Sequence, residues 1–326
     1  MAEMRILLVK LSSLGDVFHA LPVADALDRH FDAEIDWVTQ PENVELVRCF
    51  EPVNDVISFP RRERKQWRGF AKGLRARGEY DLVIDLQGLL KSAWIAHKAR
   101  SRRRIGPSFQ REGARFLYHE IAGRRNKNRH AVEECLDVIG HLGLPMEEPV
   151  FPVVFEEPQG LPQGRYAVIA PCSKWGAKDW PVDRFVEVGK ELRETHGLEV
   201  LVVGGPDHKA VGDQVVAGIG EGASNWCGTT SLVQLGGVLS QAAILVCNDS
   251  GPMHMATAVG TRVVALFGPT SPLRTGPWGP TAATVRPRRF DDNPGEVLPF
   301  RSDDNAVMRE IEVDQVLAAI AFSLDT

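Results

Sequence analysis

A repeated alternation most constrains what this chain can fold into. Short apolar runs alternate with amphipathic stretches, break once at a proline-rich segment, and then resume. "RILLVK" (5–10) reads as a strand and "GDVFHALPVADALDRHF" (15–31) as a helix with a proline inside. "EIDWVT", "DVISFP" and "YDLVIDLQ" read as further strands, and "NVELVRCF", "QWRGFAKGLRARG", "LLKSAWIAHKAR" and "HAVEECLDVIGHLG" as helices. Strands that alternate with helices imply a parallel sheet covered on both faces. "PMEEPVFPVVFEEPQGLPQG" (145–164), crowded with proline, glycine and glutamate, reads as an interdomain linker. A second series follows, with strands "YAVIAPC", "EVLVVGG", "AILVCND" and "RVVALFG" between helices, and "EIEVDQVLAAIAFSLD" closes the chain as an amphipathic helix. A length of 326 residues is comfortable for two such domains. Ligands bind at the carboxyl ends of strands in these sheets. The expected α/β architecture is therefore two doubly wound, Rossmann-like domains whose strand-end loops face one cleft.

Composition excludes several classes. Apolar content of 44% and charged content of 25% are those of a soluble globular protein, and a net charge of −5 gives no general attraction to nucleic acid. The five cysteines are scattered and form no CxxC pair, which points to reduced thiols, a cytoplasmic address and no zinc site. No charged leader with an apolar core precedes the first strand. Runs such as "AAILVC" are too short to span a bilayer.

The most informative stretch is "VCNDSGPMHMATAVGTRVVALFGPTSP" (246–272). A strand ends at Asn248-Asp249, Ser250-Gly251-Pro252 turn the chain, and a helix starts near Met253 and His254. Free N–H groups at a helix start suit a diphosphate, and Gly251 permits close approach. Asp249 or Ser250 as a simple helix cap accounts for the serine but not for the second loop, "FGPTSP". "APCSKWGAKDWP" (170–181) is the corresponding loop after an earlier strand, where Ser173 offers a hydroxyl and Lys178 a compact charge. Taken alone, Lys178 reads equally as a solvated lysine beside a cap. "VVGGPDH" (202–208) ends a strand in two glycines and Asp207, either a cap or a carboxylate for ribose hydroxyls.

In the first half, "SSLGD" (12–16) places Ser13, Gly15 and Asp16 between a strand and a helix, with no phosphate-cradling glycine pattern. Asp16 reads as a helix cap or as a functional acid. "PRRERK" gathers Arg61, Arg62, Arg64 and Lys65, and the basic stretch 98–134 interleaves aromatics. Charge runs are by default solvated faces. Their confinement to one half of an acidic protein points to an anionic partner: phosphorylated lipid, acidic sugar or nucleic acid. No nucleic-acid-binding module is present, whereas an anionic membrane surface fits. His130 heads a helix as a cap-region or surface residue; His19 reads as packed and His254 as structural.

Together "VKLSSLGDVFHALP", "YDLVIDLQGLLKSA", "RHAVE", "SKWGAKDWP" and "NDSGPMHMATAVGTRVVALFGPTSP" resemble the ADP-heptose:lipopolysaccharide heptosyltransferases, glycosyltransferase family 9, over about Met4 to Gly279. "YDLVIDLQGLLKSA" and the "RRERK" cluster are most similar to heptosyltransferase I. The resemblance implies a GT-B fold and inverting transfer of heptose from ADP-L-glycero-D-manno-heptose to Kdo of the lipid A inner core. It implies no metal and no cofactor beyond the ADP-heptose substrate, no nucleic acid, and a peripheral place on the cytoplasmic face of the inner membrane. By residue, Asp16 matches the catalytic base. Ser173, Lys178, Asp207, Asp249, Ser250, Gly251, Met253 and His254 match the donor and phosphate side. Ser13, Gly15, Arg61, Arg62, Arg64, Lys65 and His130 match the acceptor side. It also implies an acceptor domain over 1–155, a donor domain over 156–305 and a last helix, 306–326, returning to the first domain. Cys172-Ser173-Lys174 departs from the bulkier polar start of the phosphate loop in many members, and 285–311 lacks a cysteine-bearing pattern found in some. The alternatives are heptosyltransferase II or another family 9 enzyme with a heptose acceptor, a GT-B sugar-nucleotide epimerase, and a non-catalytic acidic-lipid-binding protein. Absence of GxGxxG after the first strand argues against a dehydrogenase.

Overall fold

The computed structural model describes residues 4–299 and 304–325. The stretch 285–311 therefore lies partly outside the described residues, as does residue 326. The chain divides into two compact units between Val154 and Phe155.

The first unit holds strands β1 (Met4–Val9), β2 (Ala33–Thr39), β3 (Asp55–Ser58), β4 (Glu79–Asp85), β5 (Arg100–Pro107) and β6 (Glu120–Ala122). Its helices are α1 (Leu14–Phe31), α2 (Val44–Val47), α3 (Trp67–Ala76), α4 (Leu90–Lys98) and α5 (Ala131–His141). The second unit holds β7 (Tyr166–Ala170), β8 (Glu199–Val202), β9 (Ala223–Asn225), β10 (Ile244–Asn248), β11 (Val263–Leu266) and β12 (Ala282–Val285). Its helices are α6 (Val182–Glu194), α7 (Lys209–Ile219), α8 (Leu232–Ser240), α9 (Gly251–Ala258), α10 (Pro272–Thr275) and α11 (Val313–Asp325).

Both sheets are parallel throughout, in the orders β3-β2-β1-β4-β5-β6 and β12-β11-β10-β7-β8-β9. These are two copies of one doubly wound topology. The strand order reverses between β1 and β4 in the first unit and between β7 and β10 in the second, and ligands bind beyond the carboxyl ends at such points. The sequence accounts for the central strands directly. All five residues of "YAVIA" and of "ILVCN" are buried, as expected of strands covered on both faces. The helices bury one stripe: in α6 it is Phe185, Val188, Gly189 and Leu192, at helical spacing.

The proline-rich segment changes allegiance at the unit boundary. Val153 forms a bridge with Phe50, and the Val154 N–H donates to the Cys49 carbonyl at 3.2 Å. Phe155 and Glu156, by contrast, lie against Gly236 and Gly237, where any Cβ would collide with them at 2.5 Å and 2.2 Å. The last helix, α11, buries Val316 and Ile320 with Trp180, Phe185 and Val264 in the second unit's core. An apolar stripe at the chain's end is satisfied by the nearest exposed flank of that sheet, and α11 takes it.

Candidate functional site

In the first unit the residues of interest gather where β1 and β4 end. Past Val9 the chain is held by a neighbour strand's loop: the Leu11 and Ser12 N–H groups both donate to Gln87 Oε1 at 3.0 Å. This hold sets the turn from which α1 starts. Ser13 is the residue before the helix, and both its N–H and its hydroxyl donate to Asp16 Oδ2 at 2.8 Å. Asp16 is therefore the return half of a capping box rather than the cap itself. Its other oxygen lies 3.8 Å from His19 Nδ1.

The cap does not exhaust Asp16, whose side chain keeps 41% relative exposure. The surrounding protein works against its ionisation. The Lys10 charge, the His19 ring and the Ser13 N–H outweigh that and hold the carboxyl well below the usual carboxylate range. Lys10 is 4% exposed and donates to the Leu86 carbonyl at 2.7 Å. Sequence reasoning placed Lys10 only as a strand residue. A lysine closing an otherwise apolar strand was the available signal.

Two of the expected acceptor-side groups join this cluster. The His130 ring packs edge-on to His19 with centroids 5.6 Å apart, and its Nδ1 accepts the Val132 N–H at the start of α5. Arg61 donates to Gln40 Oε1 at 3.2 Å, and Gln40 donates to the Ser12 hydroxyl at 3.3 Å, which ties the basic loop to the turn bearing Asp16. Arg62, Arg64 and Lys65 are exposed. Desolvation first, and then the charges of Arg61 and Arg64, lower the Lys91 pKa, so Lys91 is a further member of this basic group. Gly15 is buried in the first turn of α1.

Asp85, at the end of β4, is fully buried. Burial raises its pKa, against hydrogen bonds from Tyr118, Ser92 and the N–H groups of Gln87 and Gly88. The Tyr118 hydroxyl donates to it at 2.6 Å. This carboxyl fixes the loop that carries Gln87, and so belongs to the frame of the site.

In the second unit three strand-end loops meet. Asn248, with no exposed surface, is the clamp. Its amide donates to the Pro171 carbonyl at 2.7 Å, and its oxygen accepts the Trp180 N–H at 3.1 Å, which pins loop 171–181 against the end of β10. Lys178 then reaches Asp249 at 2.6 Å, and Thr270, from the loop after β11, donates to the same carboxylate oxygen at 2.8 Å. Asp249 thus holds the lysine at the amino end of α9. Ser250 precedes that helix, and its buried hydroxyl has no partner among the described residues. The helix start offers fewer donors than its sequence suggested: Pro252 has no N–H, and the Met253 N–H is spent on the Ser250 carbonyl at 3.2 Å. The N–H of Gly251 has no acceptor among the described residues.

The other expected donor-side residues are placed differently. The Ser173 hydroxyl donates to the Trp175 carbonyl at 2.8 Å and accepts the Trp175 N–H, so it shapes its own loop. Asp207 is exposed in the turn after β8. Met253 is fully buried and presents no surface to a ligand, and His254 is buried in α9. Three residues escaped sequence reasoning: Asn248, Thr270 and Arg286. Arg286, just after β12 and 9% exposed, donates to the carbonyls of Gly268, Thr270, Pro294 and Glu296 at 2.7–3.0 Å. It fastens the loop that carries Thr270.

Residues 67–294 match glycosyltransferase family 9 (heptosyltransferase). The chain is 32% identical to lipopolysaccharide heptosyltransferase 1 of Pseudomonas aeruginosa over 295 residues, covering 85% of this chain and 82% of the relative. Among solved structures, the Escherichia coli heptosyltransferase WaaC with ADP superposes with a TM-score of 0.79 at 25% identity, covering 98% of this chain and 100% of that one. A family 9 glycosyltransferase from Veillonella parvula has a TM-score of 0.84 at 21% identity, covering 98% and 97% of the two chains, and shows the fold.

Proposed function

The chain belongs to glycosyltransferase family 9, and from that premise we propose that it transfers heptose from ADP-L-glycero-D-manno-heptose to Kdo of the lipid A inner core, with inversion. The observation that carries the reading is the convergence of Lys178, Asp249 and Thr270 on the amino end of α9. The cluster supplies a cation and an N–H to a departing diphosphate, where charge develops as the glycosidic bond breaks. Asn248 and Arg286 keep the loops in place around it. Neither a metal nor a resident cofactor enters this reading.

Asp16 is the base. Its low proton affinity keeps it ionised at working pH, and also makes it a poor acceptor from a neutral hydroxyl. Proton transfer therefore follows or accompanies formation of the new C–O bond, when the attacking oxygen has become oxonium-like and strongly acidic. Ser13 orients Oδ2, and Oδ1 remains for the acceptor hydroxyl. Arg61, Arg62, Arg64, Lys65 and His130 receive the acidic acceptor. Among the described residues no helix is long and apolar enough to cross a membrane. The proposed setting is the cytoplasmic face of the inner membrane, by peripheral contact with anionic lipid. The test is incubation with ADP-heptose and Kdo-lipid A, read by lipid mass. Gain of one heptosyl residue is expected; gain only on a heptose-terminated lipid assigns the heptosyltransferase II reaction instead.

A further inference from the structure

We infer that the turn 111–117, together with the head of α4, is the element by which this chain docks on an anionic bilayer, with Phe116 and Leu90 entering below the headgroups. The inference rests on the proposed function for its setting and goes beyond it in naming the anchor.

Three observations meet at this place. Phe116 is 90% exposed, in a short 3-10 turn whose other apolar residues face inward: Ala114 is fully buried and Leu117 packs on the cluster of Ala93, Ala114 and Tyr118. The turn therefore had inward positions for an apolar side chain and left its largest one in water. A single exposed phenylalanine needs no explanation by itself. Here, though, Leu90 stands beside the turn at 48% exposure, because the Arg111 N–H donates to the Gly88 carbonyl at 2.8 Å and Glu112 accepts the Leu90 N–H at 3.2 Å.

Charge is the second observation. Residues 61–127 carry nineteen Arg or Lys against six Asp or Glu, in a chain of net charge −5. Many of these arginines are neutralised locally: Arg102 by Glu79 and Asp81, Arg103 by Glu120. Arg111 and Arg115, flanking Phe116, pair with no carboxylate among the described residues, and the same is true of Arg61 and Arg64. Glu112, the acid in the turn, is engaged by the Leu90 N–H.

Contiguity is the third. Lys91 follows Leu90 and feels both Arg61 and Arg64, so the basic loop before α3 and the turn 111–117 flank the same end of α4. Apolar points rimmed by unpaired cations complement a negatively charged lipid surface, which attracts the cations and accepts the apolar side chains at the acyl boundary. The proposed acceptor-binding residues Arg61 and Arg64 border the anchor, so a chain docked this way meets a lipid-borne acceptor at the surface that holds it.

The test is sedimentation of the purified protein with vesicles of phosphatidylethanolamine and phosphatidylglycerol, against phosphatidylcholine alone, for the native chain, Phe116→Ser and Arg115→Gln. Turnover on detergent-dispersed acceptor is measured in parallel. The native chain should bind the anionic vesicles selectively. Phe116→Ser should weaken that binding by roughly tenfold or more, and Arg115→Gln by about fivefold. Both variants should keep native melting and native turnover on dispersed acceptor. Native-like vesicle binding by Phe116→Ser, or equal binding to both vesicle types, overturns the inference. Failure of heptosyl transfer to dispersed acceptor by the native chain would instead strike at the proposed reaction, and the two failures are read in separate assays.

Discussion

Replacing Asp16 by Asn separates the two roles its geometry allows. Asn retains an oxygen that can accept the Ser13 N–H and hydroxyl, so the capping box survives in outline. What is lost is negative charge in the first turn of α1, beside Lys10. Charge at a helix start is worth about 0.3–1 kcal/mol, and the side chain's 41% exposure keeps the Lys10 contribution solvent-screened. The expected fall in melting temperature of the first unit is therefore only roughly 1–4 °C. Loss of a general base costs about a hundredfold to ten-thousandfold in rate, or roughly 3–5 kcal/mol of barrier. The rate loss should exceed the stability loss several times over. The assay is turnover with ADP-heptose and Kdo-lipid A, alongside calorimetry and donor binding. Asp16→Asn with turnover within tenfold of native would refute the base assignment. So would loss of turnover in proportion to loss of folded protein. A second reading is direct: the Asp16 carboxyl carbon, followed by NMR, should not titrate between about pH 7 and about pH 4, where an ordinary aspartate begins to. A titration centred near pH 4 or above would show that Lys10 and Ser13 do not hold the carboxylate as described.

Lys178→Ala should lower kcat/KM for the donor about tenfold to a hundredfold, the scale of one charge-assisted hydrogen bond to a diphosphate; unchanged donor affinity and rate together would remove the lysine from the site. Arg286→Gln leaves several loop carbonyls without a donor and should cost the second unit roughly 3 kcal/mol, or about 6–10 °C of melting temperature, with Arg286→Lys failing to restore it because one ammonium cannot reach four carbonyls; a shift under about 1 °C would contradict the clamp. Glu120 is drawn down to about 2 by hydrogen bonds from Arg103 and His141. A depressed carboxyl stabilises the fold above its unfolded pKa, so the stability gap between the native chain and Glu120→Gln should shrink between about pH 4 and about pH 2. A gap that widened between about pH 4 and about pH 2 in urea titrations would reverse the sign and refute the pairing.

How far the residues alone carried the reading differs from element to element. β7 and β10 were legible because continuous apolar runs of five residues have few other uses. β5 was not, because "RSRRR" has the polarity of a solvated loop; its first residues are mostly exposed near the sheet's edge, and only pairing with β4 makes them a strand. The turn before α9 was legible from Asp249 to Gly251 as a strand-end loop leading into a helix. The inward turn of Met253 and the spending of its N–H on Ser250 were not, since helix phase decides them. Ser173 and Asp249 were read as ligand contacts. The folded loops give Ser173 to Trp175 and give Asp249 to Lys178 and Thr270.

The sequence by itself determined the alternation of strand and helix, the two-unit plan, and which loops stand at strand carboxyl ends. All of these follow from patterns a few residues long, where backbone propensity and apolar period act locally. Only the tertiary structure decided that Lys178 meets Asp249 across 71 positions, that Asn248 clamps Pro171 and Trp180, that Lys10 and Ser13 keep Asp16 ionised, and that α11 closes the second core. Those outcomes depend on strand register and on which surfaces are left to be covered, and both are set by packing among segments far apart along the chain.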